Sequence, residues 1–264
     1  MFGTSVRNEL AVLVCGWLMG AAAGCDQCEP AVGSAELPVD QAKLSGVWSD
    51  PSHTRISMVV TERPYPFSSD AVDWLVHVLR EQMRLEVDVW HGGDPGLPAD
   101  ERLTTDEIIT AGLALTPDSA EPAVVLIKVS NFVLADATFG FMHYENAPRP
   151  VAVVCVSRQA ALDWQIGPIT PDVIEAMTLV HEVGHWFEVP ARDHHLSRVD
   201  HQHCTHARCV MYKGSRVGPC AIFANLLTGP PLAFCADCAE ELAEMARRRS
   251  AEPVSSRRVT GFRP

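Results

Sequence analysis

The sequence has little positive charge and no sustained basic stripe. Of its 264 residues, 21 are lysine or arginine and 33 are aspartate or glutamate, which gives a formal net charge of −12. Proteins that bind nucleic acid present a cluster or stripe of basic residues. The short basic run at residues 247–249 is predicted to end a helix, where positive charge is favourable. We therefore expect no nucleic-acid partner.

Long apolar runs are also scarce. The main one, residues 10–23, is too short to span a bilayer comfortably. It follows Arg7 and ends in small residues before Cys25, an arrangement similar to a bacterial lipoprotein signal. We predict that residues 1–25 are an export signal and that Cys25 carries the lipid. The protein would then lie at the cell envelope, with an ordinary secretory signal or an anchor helix as the alternatives.

Internal repeats are absent, and the rest of the chain divides simply. Residues 26–45 contain prolines and a glycine without sustained periodicity and are predicted to form a linker. Residues 46–264 suffice for one domain with a substantial core. Strand and helix patterns alternate along it, which indicates an α/β fold built on a sheet. The predicted strands are residues 55–61, 84–90, 123–134 and 151–157, and the predicted helices are residues 68–83, 105–113 and 236–249, with a further helix from Thr170.

The helix that follows Thr170 carries the most informative pattern in the chain. Thr170 is a candidate N-cap, and Pro171 occupies the first helical position, where its missing N–H is harmless. Near the end of this helix, residues 181–185 read HExxH. Because positions i and i+4 share one helix face, His181 and His185 can bind one zinc ion. Glu182 is then placed to act as general base toward a zinc-activated water.

A second cluster of residues follows this helix. His203 and Cys204 are followed by Cys209 and Met211, and Cys235 and Cys238 form a CxxC pair. Together with HExxH, this string resembles the motif of the archaemetzincins, a branch of the metzincin metallopeptidases. The resemblance covers residues 181–238, with a weaker likeness that extends back to about residue 139.

The archaemetzincin resemblance implies a fold and a set of roles. It implies a twisted mixed sheet with packed helices, an active-site helix, and a small C-terminal subdomain that contains a Met-turn and a terminal helix. His203 would be the third ligand of the catalytic zinc, and Met211 would form the floor of the site. The strand at residues 151–157 would lie at the sheet edge and receive an extended substrate. From the sequence itself, we expect His143 and Tyr144 to precede this strand in a surface loop.

The chain departs from the family motif in three places. Glu188 replaces the glycine that turns the chain, twelve extra residues precede Cys204, and twenty-three residues rather than seventeen separate Met211 from Cys235. We expect the helix to run past His185 and break before Pro190. The insert should then form a solvent-exposed loop that returns His203 to the zinc.

The identity of the third zinc ligand is left open by the residues themselves. His194 and His195 compete with His203 for that position. A thermolysin-like arrangement would instead use a glutamate from the terminal helix, with Glu240, Glu241 and Glu244 as candidates.

The four cysteines have two possible roles. Cys204, Cys209, Cys235 and Cys238 match a closed tetrahedral site for a structural zinc. Disulfides are the alternative, because an exported protein meets an oxidising environment. The family spacing favours zinc, so two zinc ions are expected in all, one catalytic and one structural.

Two functions follow from these patterns. The first is a zinc metallopeptidase that cleaves peptide or protein substrates as a monomer; the family resemblance adds aminopeptidases as one type. The second is a catalytically inactive, zinc-stabilised binding protein on the cell envelope. The intact Glu182 favours the first.

Overall fold

The structure is a computed structural model that describes residues 48, 50, 52–99, 101–133, 139–145, 149–163, 170–198, 201–206, 208–212 and 233–251. The predicted export signal, the predicted linker and Cys25 lie outside these residues. No helix in the described part of the chain is both long and apolar enough to cross a membrane. The strands are β1 (Arg55–Val60), β2 (Glu86–His91), β3 (Arg102–Thr104), β4 (Ala123–Val129), β5 (Asn131–Val133), β6 (Gly140–Glu145) and β7 (Val151–Ser157). The helices are α1 (Ser69–Glu81), α2 (Thr105–Ala114), α3 (Arg158–Asp163), α4 (Pro171–Trp186) and α5 (Ala236–Ala251).

A five-stranded mixed sheet is the centre of the fold. Its strand order is β2-β1-β4-β7-β6. The first four strands are parallel, and β6 pairs antiparallel with β7. Strands β4 and β7 are almost entirely buried, as expected of parallel strands with helices on both faces. The predicted α/β class with a mixed sheet and packed helices is confirmed.

Alternating residues of the sheet supply two cores. On one face, Val124 and Leu126 of β4 belong to a large core shared with α1, α4 and α5. On the other face, Val125 and Ile127 form a smaller core with Ile108 of α2. This period of two follows from strand geometry, in which successive side chains point to opposite faces. Helices α4 and α5 therefore lie on the same side of the sheet.

The structure corrects the prediction for the sheet edge. Strand β7 was expected at the edge from the family resemblance, but it is paired on both sides, with β4 and with β6. His143 and Tyr144, expected in a loop, belong to β6, which is the edge strand of the five-stranded sheet. Only a short connection separates β6 from β7, which is sufficient for an antiparallel pair. Strand β7, the last strand before α4 in the sequence, is therefore internal to the sheet.

A second correction concerns the strand predicted at residues 123–134. The structure divides it into β4 and β5, with Ser130 between them. The carbonyl of Ser130 accepts hydrogen bonds from Gln159 N and Ser157 Oγ. These bonds interrupt the ladder, and β5 pairs with β3 in a separate two-stranded sheet. The apolar residues on both sides of Ser130 gave no sign in the sequence that the strand is divided there.

Candidate active site and metal centres

Helix α4 begins as its sequence predicts. The side chain of Thr170 accepts a hydrogen bond from the N–H of Val173 at 3.4 Å, and Pro171 takes the first helical position. A buried ion pair between Glu175 and Lys128 of β4 fixes the first turns of the helix on the sheet. Glu175 is 1% exposed and also accepts the N–H of Ser68. The far end of the helix is thereby held in a defined position over the sheet.

Three histidines meet at the end of α4. His181, His185 and His203 each offer a ring nitrogen, and these nitrogens all lie within 4.8 Å of one another. The Nε2 atoms of His181 and His185 are 3.2 Å apart. Two imidazole ligands of one tetrahedral zinc ion are about 3.3 Å apart when each Zn–N bond is about 2.0–2.1 Å. The spacing therefore fits a shared metal ion.

The protonation of His181 also suits metal binding. Its Nδ1 lies 2.7 Å from the carbonyl oxygen of Val210. A carbonyl can only accept, so Nδ1 carries the proton and the Nε2 lone pair faces His185. Burial lowers the pKa of His181 to about 4, so the ring is neutral at neutral pH. A neutral imidazole whose other nitrogen is held by a hydrogen bond is the usual form of a histidine ligand.

Glu182 lies against the edge strand. A Cβ atom added to Gly140 of β6 would be 3.6 Å from Cγ of Glu182, and it would also collide with Thr178 and the backbone of Cys155. Glycine at position 140 therefore allows β6 to approach α4 closely. Burial raises the pKa of Glu182 to about 8. A carboxyl group with such a pKa can both accept and donate a proton near neutrality.

Met211 packs against the backbone of α4 at Gly184. It is fully buried, and a Cβ added to Gly184 would lie 2.3 Å from its sulfur. The carbonyl of Met211 accepts the N–H of Cys204, the residue that follows His203. Met211 thus lies between the helix that carries two of the histidines and the segment that carries the third.

Helix α4 ends within the range that the sequence predicts. It stops at Trp186, and Glu188 adopts a left-handed conformation with φ of 59°. Glu188 N bonds to the carbonyl of His185, and Val189 N bonds to that of Gly184. These two bonds form a Schellman motif. The helix therefore passes His185 and breaks before Pro190, as predicted, and it ends in a left-handed turn at Glu188.

The insert after α4 is only partly exposed, which corrects the prediction of a solvent-exposed loop. His194 is exposed and lies 3.4 Å from Asp237, but His195 is completely buried. The chain returns through a hydrogen bond from Ser197 N to the carbonyl of His203 and a bridge between Leu196 and Cys204. The loop is closed by these contacts, and His203 is delivered to the other two histidines.

The four cysteines gather beside this loop. The sulfurs of Cys204 and Cys235 are 3.7 Å apart, and those of Cys209 and Cys238 are 3.6 Å apart. All four are free thiols rather than disulfides. Sulfur ligands of one tetrahedral zinc ion are about 3.8 Å apart when each Zn–S bond is about 2.3 Å. The donor set and its spacing fit a structural zinc ion.

Sequence reasoning missed a fifth member of the cysteine cluster, His195. Its Nδ1 lies 3.5 Å from the sulfur of Cys204, and its Nε2 lies 2.9 Å from Glu241 of α5. Glu241 stands three residues after Cys238, on the same helix face, which was the available signal.

The acidic residues of α5 are engaged away from the three histidines. Glu241 contacts the insert, while Glu240 and Glu244 both pair with Arg192. Among the described residues, no acidic group joins the cluster of His181, His185 and His203. A thermolysin-like glutamate ligand therefore has no support in the described part of the chain.

Comparison with known proteins gives the following results. No family model matches the chain, and no curated protein matches it. Two archaemetzincin structures are similar to it. The protein from Methanopyrus kandleri is 18% identical, with 74% of this chain and 97% of that chain covered and a TM-score of 0.47. The protein from Archaeoglobus fulgidus, complexed with malonate, is 16% identical, with 71% and 98% covered and a TM-score of 0.39.

Proposed function

We propose that this chain is a zinc-dependent peptidase whose active site is formed by His181, His185, His203 and Glu182. The observation that carries the proposal is the convergence of three imidazole nitrogens within 4.8 Å, beside a half-buried glutamate on the helix that carries two of them. Three histidines leave a fourth position open on a tetrahedral ion, as catalytic zinc sites require. When bound, the zinc ion supplies Lewis-acid chemistry that polarises a carbonyl and makes water a nucleophile near neutral pH.

The protein's own residues supply the proton transfers. Glu182 takes the proton of the attacking water and then delivers it to the amine that leaves. Its burial supports both steps. A carboxyl group with a pKa of about 8 can accept and donate a proton near neutral pH, whereas an exposed carboxyl group stays ionised there. His181 keeps its Nδ1 proton on the Val210 carbonyl throughout, which fixes the ring orientation.

The substrate is proposed to bind along β6. The outer edge of this strand has no partner strand in the five-stranded sheet of the described residues. An extended peptide can add to such an edge through main-chain hydrogen bonds. Because Gly140 at the start of β6 lies against Glu182, a peptide in this position would pass beside the general base. Peptide or protein substrates are thus the favoured class.

The cysteine cluster is proposed to hold a second, structural zinc ion. Export to the cell envelope and lipid attachment at Cys25 are proposed from the sequence of residues 1–25 alone.

The proposed function is tested by metal content and peptide hydrolysis together. The purified chain should contain zinc and cleave members of a mixed peptide library, and a chelator should abolish cleavage. Glu182→Gln should retain fold and metal but lose about 10²–10⁴-fold in rate, the usual contribution of a general base. Asp172→Asn, on an exposed position of the same helix, is the matched control and should keep full activity. A zinc-loaded wild type without hydrolysis would support the inactive binding protein instead.

A further inference from the structure

The cysteine cluster contains one donor too many for a closed tetrahedral site. Beside the four sulfurs, His195 turns its Nδ1 toward Cys204 at 3.5 Å and toward Cys238 at 3.7 Å. A nitrogen and a sulfur bound to one tetrahedral zinc ion are about 3.5 Å apart, given bonds of about 2.0–2.1 and 2.3 Å. His195 Nδ1 therefore lies at the separation expected of a ligand.

The other side of the His195 ring is fixed by Glu241. Both residues are completely buried. Oε1 of Glu241 also accepts the N–H of Arg192 at 2.8 Å, and its Oε2 accepts the N–H of Ala191 at 2.9 Å. A carboxylate that accepts from three donors requires His195 Nε2 to carry a proton. In the neutral ring, Nδ1 then presents its lone pair to the sulfurs of Cys204 and Cys238.

A lone pair that faces two sulfur atoms needs a metal ion or a proton between them. Two acceptors at 3.5 Å repel one another unless a metal ion or a proton lies between, and burial strengthens that repulsion. A carboxylate, a histidine and a metal ion in this order are a recurrent arrangement in proteins. The negative charge of Glu241 also favours histidine as a ligand. A neutral imidazole in place of one thiolate lowers the negative charge that is buried beside Glu241.

We propose that His195 Nδ1 is a ligand of the structural metal ion, together with Cys204, Cys235 and Cys238. These residues offer four donor atoms that all lie within 4.8 Å of one another. The sulfur of Cys209 accepts the backbone N–H of Cys235 at 3.3 Å and lies beside the ligand set. The insert of this chain thus contributes His195 as a ligand, which gives its additional residues a structural role. The inference rests on metal binding by the cysteine cluster and not on peptide hydrolysis.

The test is ¹¹³Cd NMR of the full chain loaded with cadmium, whose resonance position depends on the number of sulfur ligands. The two proposed sites give separate resonances, because one has nitrogen ligands only and the other is rich in sulfur. We expect a three-sulfur, one-nitrogen resonance with scalar coupling to ¹⁵N of His195. His195→Ala should move it, whereas Cys209→Ser and the neighbouring exposed His194→Ala should not.

Several results would overturn the proposal. A four-sulfur resonance in the wild type, moved by Cys209→Ser and not by His195→Ala, would make the site all-thiolate and His195 a hydrogen-bond donor to it. The absence of any sulfur-rich resonance would exclude a metal ion from the cluster altogether. Because the wild-type spectrum alone separates these cases, a variant that fails to fold does not obscure the answer. Failure of the peptidase proposal would instead appear as a lack of peptide hydrolysis, which this spectrum does not measure.

Discussion

Glu188 is held in a backbone conformation that glutamate rarely adopts. Its φ of 59° lies in the left-handed region, which costs an L-residue about 1–2 kcal/mol of conformational free energy. The Schellman hydrogen bonds of Glu188 and Val189 fix this conformation at the end of α4. The backbone is therefore strained within one turn of His185.

Substitutions at position 188 should report this strain directly. Glu188→Gly should raise the free energy of unfolding by about 0.5–1 kcal/mol, because relief of strain exceeds the added flexibility of the unfolded chain. Glu188→Val should lower it by about 1–3 kcal/mol, since a β-branched residue tolerates this region worst. Urea unfolding of the metal-loaded protein measures both. Glu188→Gln controls for charge, and equal stability of the Gly and Val variants would refute the left-handed turn.

The zinc content of histidine variants can show which histidine is the third ligand. His203→Ala should lose one equivalent of zinc per chain, because two imidazoles remain where a catalytic site uses three protein ligands. His194→Ala should lose none, since His194 lies on the surface beside Asp237. Zinc is counted after dialysis against a weak chelator. Retention of both ions in the His203 variant, with loss in the His194 variant, would assign the ligand to the insert.

Local patterns predicted the residues of α4 well and those of the insert poorly. HExxH fixes its own geometry, because any helix places positions 181 and 185 on one face. His195 has no such local rule. Its burial depends on Glu241, which is forty-six residues away along the chain and meets it only in the folded protein. Glu188 shows the same limit, since nothing in a glutamate signals a left-handed turn.

At the scale of elements, α4 contacts both proposed metal sites. One side of the helix presents His181 and His185, and Gly184 receives the Met211 side chain. Phe234, just before α5, also approaches Gly184 closely. A residue with a side chain at position 184 would push these groups away from the helix.

Gly184 and Met211 should therefore be energetically coupled. Gly184→Ala alone should destabilise the protein or weaken zinc binding at the histidines, because Met211 would have to move from an ideal Cβ only 2.3 Å away. In a Met211→Ala background the same change should become favourable by up to about 1 kcal/mol, the helix propensity of alanine over glycine. A double-mutant cycle by urea unfolding gives the coupling. A coupling near zero would mean that Met211 does not pack on the helix.

The edge strand β6 shows the limit of what the sequence predicts about the sheet. Alternation and hydrophobicity predicted four of the five strands of the sheet, including β7, to within a few residues. Their order was not determined by these patterns, because strand neighbours depend on the path of the whole chain. The residues of β6, with an exposed outer end at Glu145, look like a loop when taken alone. Their pairing with β7 is visible only in the sheet.

At the scale of the whole molecule, the segments that carry the proposed metal ligands share one core with the sheet. Cys204, Cys238 and Met245 belong to the same cluster as Leu75 of α1 and Val124 of β4. The terminal helix is also tied to distant parts of the chain. Arg249 donates to the carbonyls of Trp48 and Met83, and the indole of Trp48 donates to the carbonyl of Trp186 at 2.9 Å. Segments far apart in sequence therefore stabilise one another.

This shared core predicts how the protein responds to loss of the structural metal. Because α5 is packed into the main core, metal removal should lower the stability of the domain as a whole and not release α5 alone. Zinc at about 100 times its dissociation constant should contribute about 2.7 kcal/mol to the free energy of unfolding. Thermal unfolding followed by circular dichroism, with and without a strong chelator, measures the difference, and a single transition should move to lower temperature.

The double variant Cys235→Ser/Cys238→Ser provides the comparison. It should match the chelated wild type in the contribution of the cysteine site and should retain only the smaller response that the histidine site produces. An early separate transition, with the helical signal of α5 lost before that of the sheet, would show that the terminal helix is an independent unit. The contacts of Arg249 and the buried position of Leu242 beside the cysteines argue for the single transition.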